Sequence, residues 1–127
     1  MKAHALDHLV LTCRDVEATI AWYERVLGLE PITFGEGRRA LRLRHGKLNL
    51  HQAGEELEPH AAAPTPGSAD LCFVVDGRIE AVALHLEELG VPVELGPVDR
   101  TGARGEMRSV YVRDPDANLV ELSVYRF

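Results

Sequence analysis

The sequence predicts an α+β fold of two βαβββ repeats, whose strands form a curved mixed sheet with a concave cleft for a metal ion or ligand. Three observations lead there. His8 precedes Gly28 by twenty residues, Asp70 precedes Gly90 by twenty, and both pairs are offset by 62 positions (70 − 8 and 90 − 28). A fixed internal offset marks a repeated supersecondary unit. In each half a short alternating apolar run gives way to apolar residues at helical spacing. Between the halves, 54–68 carries Gly54, the acidic patch Glu55-Glu56-Leu57-Glu58, Pro59 and the run Pro64-Thr65-Pro66-Gly67-Ser68. That is the composition of a surface connection.

The elements follow in order. Residues 6–12 form a strand with Leu9 and Leu11 on one face and His8, Val10 and Thr12 on the other. Asp15 suits a helix N-cap, because its carboxylate accepts from free backbone N–H groups. Val16, Ile20, Tyr23 and Leu27 follow as a buried stripe, Gly28 ends the helix, and Pro31 forbids its continuation. Short strands come next around 32–34, 40–44 and 48–52, with His45-Gly46-Lys47 as a turn. The second repeat has a strand at 70–75, then a helix with Ile79, Val82, Leu86 and Leu89 buried. A short strand near 91–95 and a glycine–arginine loop (Gly96, Arg100, Gly102, Arg104, Gly105) follow. Strands at 107–113 and from Leu119 to Val124 flank the turn Asp114-Pro115-Asp116-Ala117-Asn118. The chain reads as one domain over 1–127: repeat one about 5–53, linker 54–68, repeat two about 69–126.

Composition narrows the function. At 127 residues the chain buries a sizeable core, and 46 % hydrophobic with 27 % charged residues is ordinary for a globular domain. A net charge of −6 argues against nucleic acid or an anionic membrane as partner. No apolar run is long enough to span a bilayer, and Asp7 and His8 interrupt any signal-peptide core. Cys13 and Cys72 suit reduced thiols in a cytoplasmic protein, with Cys72 read as an inert buried thiol.

Alternation places the chemistry. With Leu48 and Leu50 on the helix side, Asn49 and His51 enter the concavity. With Val120, Leu122 and Val124 on the helix side, Glu121 and Ser123 do the same. His8 and Asp70 share that face. Two imidazoles and two carboxylates would converge there, and a buried unpaired carboxylate is costly. His8, His51, Asp70 and Glu121 are therefore the expected ligands of a divalent cation: Ni, Zn, Fe, Co or Mn by donor type. A three-ligand version leaves Asp70 to cap the turn after Ser68. Arg100 and Arg104 are candidate clamps for an anionic substrate, with Asn49 and Ser123 lining the cleft. Arg38 and Arg39 read as a hairpin rim, and Trp22 and Tyr23 as core. His45, His60 and His85 fall in a turn, the linker and the second helix.

Three stretches carry a resemblance: Leu6-Asp7-His8-Leu9-Val10-Leu11, Trp22-Tyr23 to Leu27-Gly28-Leu29, and Arg113-Asp114-Pro115-Asp116 to Asn118-Leu119-Val120-Glu121-Leu122. The chain resembles the glyoxalase/bleomycin-resistance/extradiol-dioxygenase (vicinal oxygen chelate) superfamily over essentially its whole length. Pro66-Gly67-Ser68 with Asp70-Leu71-Cys72, and Arg100-Thr101-Gly102-Ala103 with Gly105, look like its small glyoxalase-domain members. The resemblance implies paired βαβββ units and a homodimer with shared sites. Its four ligand slots fall on His8, His51, Asp70 and Glu121, and the last glutamate doubles as proton-moving base. Glyoxalase I has His, Glu, His, Glu there, so the second and third slots depart from that pattern. The expected function is a metal-dependent lyase or isomerase acting on a small vicinal-oxygen substrate, with Glu121 catalytic. The alternatives are an Fe(II) dioxygenase using His8, His51 and Glu121, and a non-catalytic small-molecule binding protein.

Overall fold

Each half of the chain folds as a strand, a helix and three further strands. In the computed structural model, which describes residues 1–126, the first half comprises β1 (His8–Cys13), α1 (Val16–Leu27), β2 (Glu30–Phe34), β3 (Arg38–Leu43) and β4 (Gly46–Gln52). The second comprises β5 (Asp70–Val74), α2 (Ile79–Glu88), β6 (Leu95–Gly102), β7 (Gly105–Arg113) and β8 (Leu119–Tyr125). They make two open four-stranded sheets, ordered β1-β4-β3-β2 and β5-β8-β7-β6. The compact units are Met1–Ser68 and Ala69–Phe127.

Both sheets are mixed. β1 pairs with β4, and β5 with β8, in parallel; the other pairings are antiparallel. Alternation then sorts the faces. In the first unit Leu11, Cys13, Leu41, Leu48 and Leu50 are buried on the side that also buries Ile20, Tyr23 and Val26 of α1. In the second, Val110, Val112, Val120 and Leu122 pack with Ile79 and Leu86 of α2. Each such large apolar side chain contributes about 1.5–3 kcal/mol by leaving water.

Local signals set the helix ends. Asp15 caps α1, its side chain accepting from the Ala18 N–H at 3.2 Å. Gly28, at φ +66°, ends it: its N–H donates to the Glu24 carbonyl at 3.0 Å. Only an αL residue allows that closure without steric strain. The buried stripe is Thr19, Ile20, Tyr23 and Val26, whereas Val16 and Leu27, expected within it, are only half-buried.

The larger correction lies in the second unit. No strand covers 91–94, and the expected glycine–arginine loop is β6 with the tight turn into β7. The glycines mark a register shift between Leu95 and Val98, not a loop. Gly96 (φ +114°) crosses so close to β7 that an added Cβ would come within 2.5 Å of the Ser109 carbonyl oxygen and 2.9 Å of Val110 Cα. β6 also carries Pro97, as β2 carries Pro31, and each is the outermost antiparallel strand of its sheet. Among the described residues no helix is long and apolar enough to cross a membrane.

Gly96→Ala should therefore destabilise the protein by roughly 1–3 kcal/mol, because backbone rather than a flexible side chain must move. A denaturant midpoint unchanged from wild type would contradict the close crossing.

Candidate functional site

The parallel ladders decide where the predicted side chains stand. In the second unit Asp70 is opposite Leu119 and Cys72 opposite Glu121, so Asp70 and Glu121 share a face two residues out of register. That is about 6.6 Å along the strands, a span two carboxylates bridge to a common cation. In the first unit His8 is opposite Lys47 and Thr12 opposite His51, an offset of four residues (12 − 8). That separates His8 and His51 by about 13 Å along strands whose side chains stand roughly parallel. The structure brings Asp70 and Glu121 onto one short stretch of sheet. It does not bring His8 and His51 together.

The same registers redraw the internal repeat. Glu121 lies two residues beyond the partner of Asp70, and in the first unit two residues beyond the partner of His8 is Asn49 (47 + 2). Asn49, not His51, is the counterpart of Glu121, and His51 is the counterpart of Ser123. Among the described residues no three His, Cys, Asp or Glu side chains form a group that could hold a metal ion. The desolvation argument for a cation also changes. Asp70 and His8 are exposed and Glu121 is half-buried, so neither carboxylate is stranded in a core.

One turn positions the acidic pair. Asp114 Oδ1 accepts from the N–H groups of Asp116 (2.9 Å) and Asn118 (3.0 Å), closing the turn into β8. The Asn118 side-chain oxygen accepts from Ala69 N–H at 2.9 Å, tying that turn to the start of β5 beside Asp70. Behind Glu121 runs a chain of hydroxyls. Ser123, fully buried, donates to Glu121 Oε2 at 3.1 Å and lies 2.6 Å from the buried Ser109 hydroxyl. The Cys72 sulfur is 3.3 Å from Ser123 Oγ. Cys72 is exposed, not buried as expected, because it lies on the face away from α2. Its thiol is pushed above the ordinary value by desolvation, with the Ser123 hydrogen bond opposing and Glu121 adding. Arg100 reaches along this face, its Nε donating to the Tyr111 hydroxyl at 2.8 Å. Arg104 sits over the Tyr125 ring at 4.7 Å.

The first unit holds a cavity of about 360 Å³, and its lining includes Val16, Phe34, Arg38, Asn49, His51 and Leu57. Asn49 is 4 % exposed and His51 8 %. Asn49 Oδ1 and both ring nitrogens of His51 are buried without a hydrogen-bond partner. Burial first, then the Arg38 guanidinium, holds His51 below the ordinary histidine value of 6.5, while Glu56 pulls the other way. Arg38 stands over the Phe34 ring at 4.7 Å. Arg39 forks onto Glu17, with Nε–Oε1 and Nη2–Oε2 both 3.2 Å. Arg38 and Phe34 were missed as lining residues. The available signal was their parity with His51 on β3 and β2, masked by the turn Gly35–Gly37 between them.

His51 makes stability depend on pH. Its folded-state value lies below the unfolded one, so unfolding takes up a proton as pH falls through about 6.5, and stability drops there. His60 is raised, chiefly by its hydrogen bond to the Ala61 carbonyl, and acts in the opposite sense. The difference between wild type and His51→Gln isolates His51. From about pH 7.5 to about pH 5.5 wild type should lose more stability than the variant in denaturant titrations; parallel curves would exclude a neutral buried imidazole.

Residues 5–122 match the family model described as Glyoxalase/Bleomycin resistance protein/Dioxygenase superfamily. Over 126 residues the chain is 52 % identical to the Glyoxalase domain-containing protein RDO1 of Mycosarcoma maydis, covering 99 % of this chain and 71 % of that protein. It is 51 % identical over 120 residues to Virulence protein STM3117 of Salmonella typhimurium, covering 94 % of this chain and 83 % of that one. The crystal structure of that virulence protein matches with a TM-score of 0.97 at 49 % identity, covering 99 % of this chain and 100 % of the other. The crystal structure of lactoylglutathione lyase from Agrobacterium tumefaciens matches with a TM-score of 0.73 at 25 % identity, covering 98 % and 96 %.

Proposed function

The chain belongs to the glyoxalase/bleomycin resistance protein/dioxygenase superfamily, and from that membership we propose that it is a metal-dependent lyase or isomerase of glyoxalase type acting on a small vicinal-oxygen substrate. The observation that carries this reading is the Asp70–Glu121 pair on one face of β5 and β8, with the Ser123 hydroxyl already on Glu121 Oε2. The oxygen donors of this pair suit a divalent cation such as Ni, Zn, Fe, Co or Mn. A cation held by Asp70 and Glu121 would supply Lewis acidity toward a carbonyl oxygen. Glu121 does the proton work: with Oε2 engaged by Ser123, its other oxygen takes the proton beside the carbonyl and returns it to the neighbouring carbon. Arg100, on the same face, meets an anionic part of the substrate. A homodimer with shared sites, working in the cytoplasm, belongs to the same reading.

The dioxygenase alternative needs His8 and His51 on one iron, and their four-residue offset speaks against it. A binding protein without turnover is favoured by one observation: the first unit holds a cavity of about 360 Å³ lined by apolar and charged side chains, with no cation required.

Protein purified without added metal should contain a divalent cation and isomerise hemithioacetals with nickel or zinc. Glu121→Gln should cut turnover by about 10²–10⁴-fold, more than it weakens metal retention. Metal-free protein that neither takes up nickel, zinc or iron nor turns over any hemithioacetal would leave the binding reading in its place.

A further inference from the structure

One phenol on the sheet face of Asp70 and Glu121 has no task in the reaction described so far. Tyr111 of β7 is the cross-strand partner of Glu121, so both side chains stand on the face away from α2. Directly opposite residues on one face have Cβ atoms about 4.5–5.5 Å apart. Arg100 enters from β6 opposite Met107, four residues along β7 from Tyr111 (111 − 107), or about 13 Å. The two nonetheless meet, with Arg100 Nε donating to the Tyr111 hydroxyl at 2.8 Å. They close that gap by leaning toward each other over the intervening row, Val98, Ser109 and Ser123. Ser109 and Ser123 are fully buried although they face away from the helix, as residues beneath such a bridge would be. Glu121 leans the same way, since its Oε2 accepts from the Ser123 hydroxyl. Phenol and carboxylate converge above one row of the sheet. We propose that Tyr111 is a catalytic residue of this site: its hydroxyl donates to the substrate oxygen that turns anionic as Glu121 takes the neighbouring carbon-bound proton.

Hydrogen-bond accounting fixes the direction. A guanidinium only donates, so the Tyr111 oxygen accepts from Arg100 and keeps its own proton to give. Among the described residues no acceptor takes that proton. Accepting from a cation polarises the O–H and strengthens it as a donor. A donor fixed in advance where charge develops is among the largest contributions an active site makes. The step balances within the substrate. As Glu121 takes the carbon-bound proton, the C–H pair becomes the enediolate double bond, and the carbonyl π pair moves onto the oxygen facing Tyr111. Glu121 then returns its proton to the carbon bearing that oxygen. The hydroxyl proton of the first carbon passes to the same oxygen, and the carbonyl re-forms on the first carbon. No oxidant, reductant or second substrate is consumed.

The role of Tyr111 deepens the lyase or isomerase reading and rests on it. Tyr111→Phe removes one oxygen atom and keeps the ring. In full-length protein as purified it should lower kcat on a hemithioacetal about 10²–10³-fold. The ratio kcat/KM should fall equally, as for a contact made only in the transition state, with metal content and circular dichroism unchanged. Acetohydroxamate, whose adjacent oxygens imitate an enediolate, gives a readout without turnover. By calorimetry it should bind wild type at least about tenfold more tightly than Tyr111→Phe. Any chelation of metal contributes equally to both proteins, so the difference reads the phenol. Equal affinity, or no binding by either protein, would overturn the assignment. Turnover undiminished in Tyr111→Phe would overturn it too, while leaving the lyase or isomerase reading in place. Hydroxamate discrimination without turnover of any hemithioacetal would uphold the Tyr111 contact and reject the reaction chosen for it.

Discussion

The parallel ladder between the first and last strand of each unit is the constraint on which the rest depends. It joins residues about forty to fifty positions apart, so its loop-closure entropy is met only when the helix and the hairpin strands are also in place. Leu11 and Leu50, or Phe73 and Leu122, become neighbours only through it. The helix then has one face to cover, and the opposite face is left for polar residues. Chemistry is confined to that second face because the first is committed to burial.

Register on that face decides which side chains share work. A slip of one residue sends a side chain through the sheet, whereas a slip of two keeps the face and moves the group by about 6.6 Å. Asp70 and Glu121 differ by two and remain partners; His8 and His51 differ by four and do not. Each unit has thus specialised the same frame differently. The second keeps a carboxylate backed by two buried hydroxyls, while the first carries an amide and a neutral imidazole over a cavity. Positional equivalence within the repeat does not carry equivalence of charge.

Much of the fold was legible in the chain. The offset between His8 and Asp70, the Asp15 cap, the closing glycine of α1 and the apolar alternation of β4 and β8 are local signals, and each stands where expected. β6 was not legible, because Gly96 and Gly102 read as loop where the structure uses Gly96 for a bulge that crosses close to the β7 backbone and seats Gly102 beside the Met107 and Tyr125 side chains. Face assignment at the site was also legible: His8, Asn49, His51, Asp70, Glu121 and Ser123 all take the face away from their helix. Register was not. His51 and Glu121 differ by two in register across the repeat, which the sequence hides because period-two patterns look the same after such a slip. The exposure of Asp70 and Cys72 was equally hidden, since alternation names a side of the sheet but not what covers it.

The prolines on β2 and β6 have a consequence beyond the fold. A strand at the margin of a sheet presents free N–H and C=O groups to any passing extended chain, and unguarded margins seed fibrils. Pro31 and Pro97 each delete one amide donor there, and charged Asp99 and Arg100 reinforce the second margin. A foreign segment cannot zip along either border without a gap in its hydrogen bonding. Edge protection thus falls to two strands that bury no side chain fully.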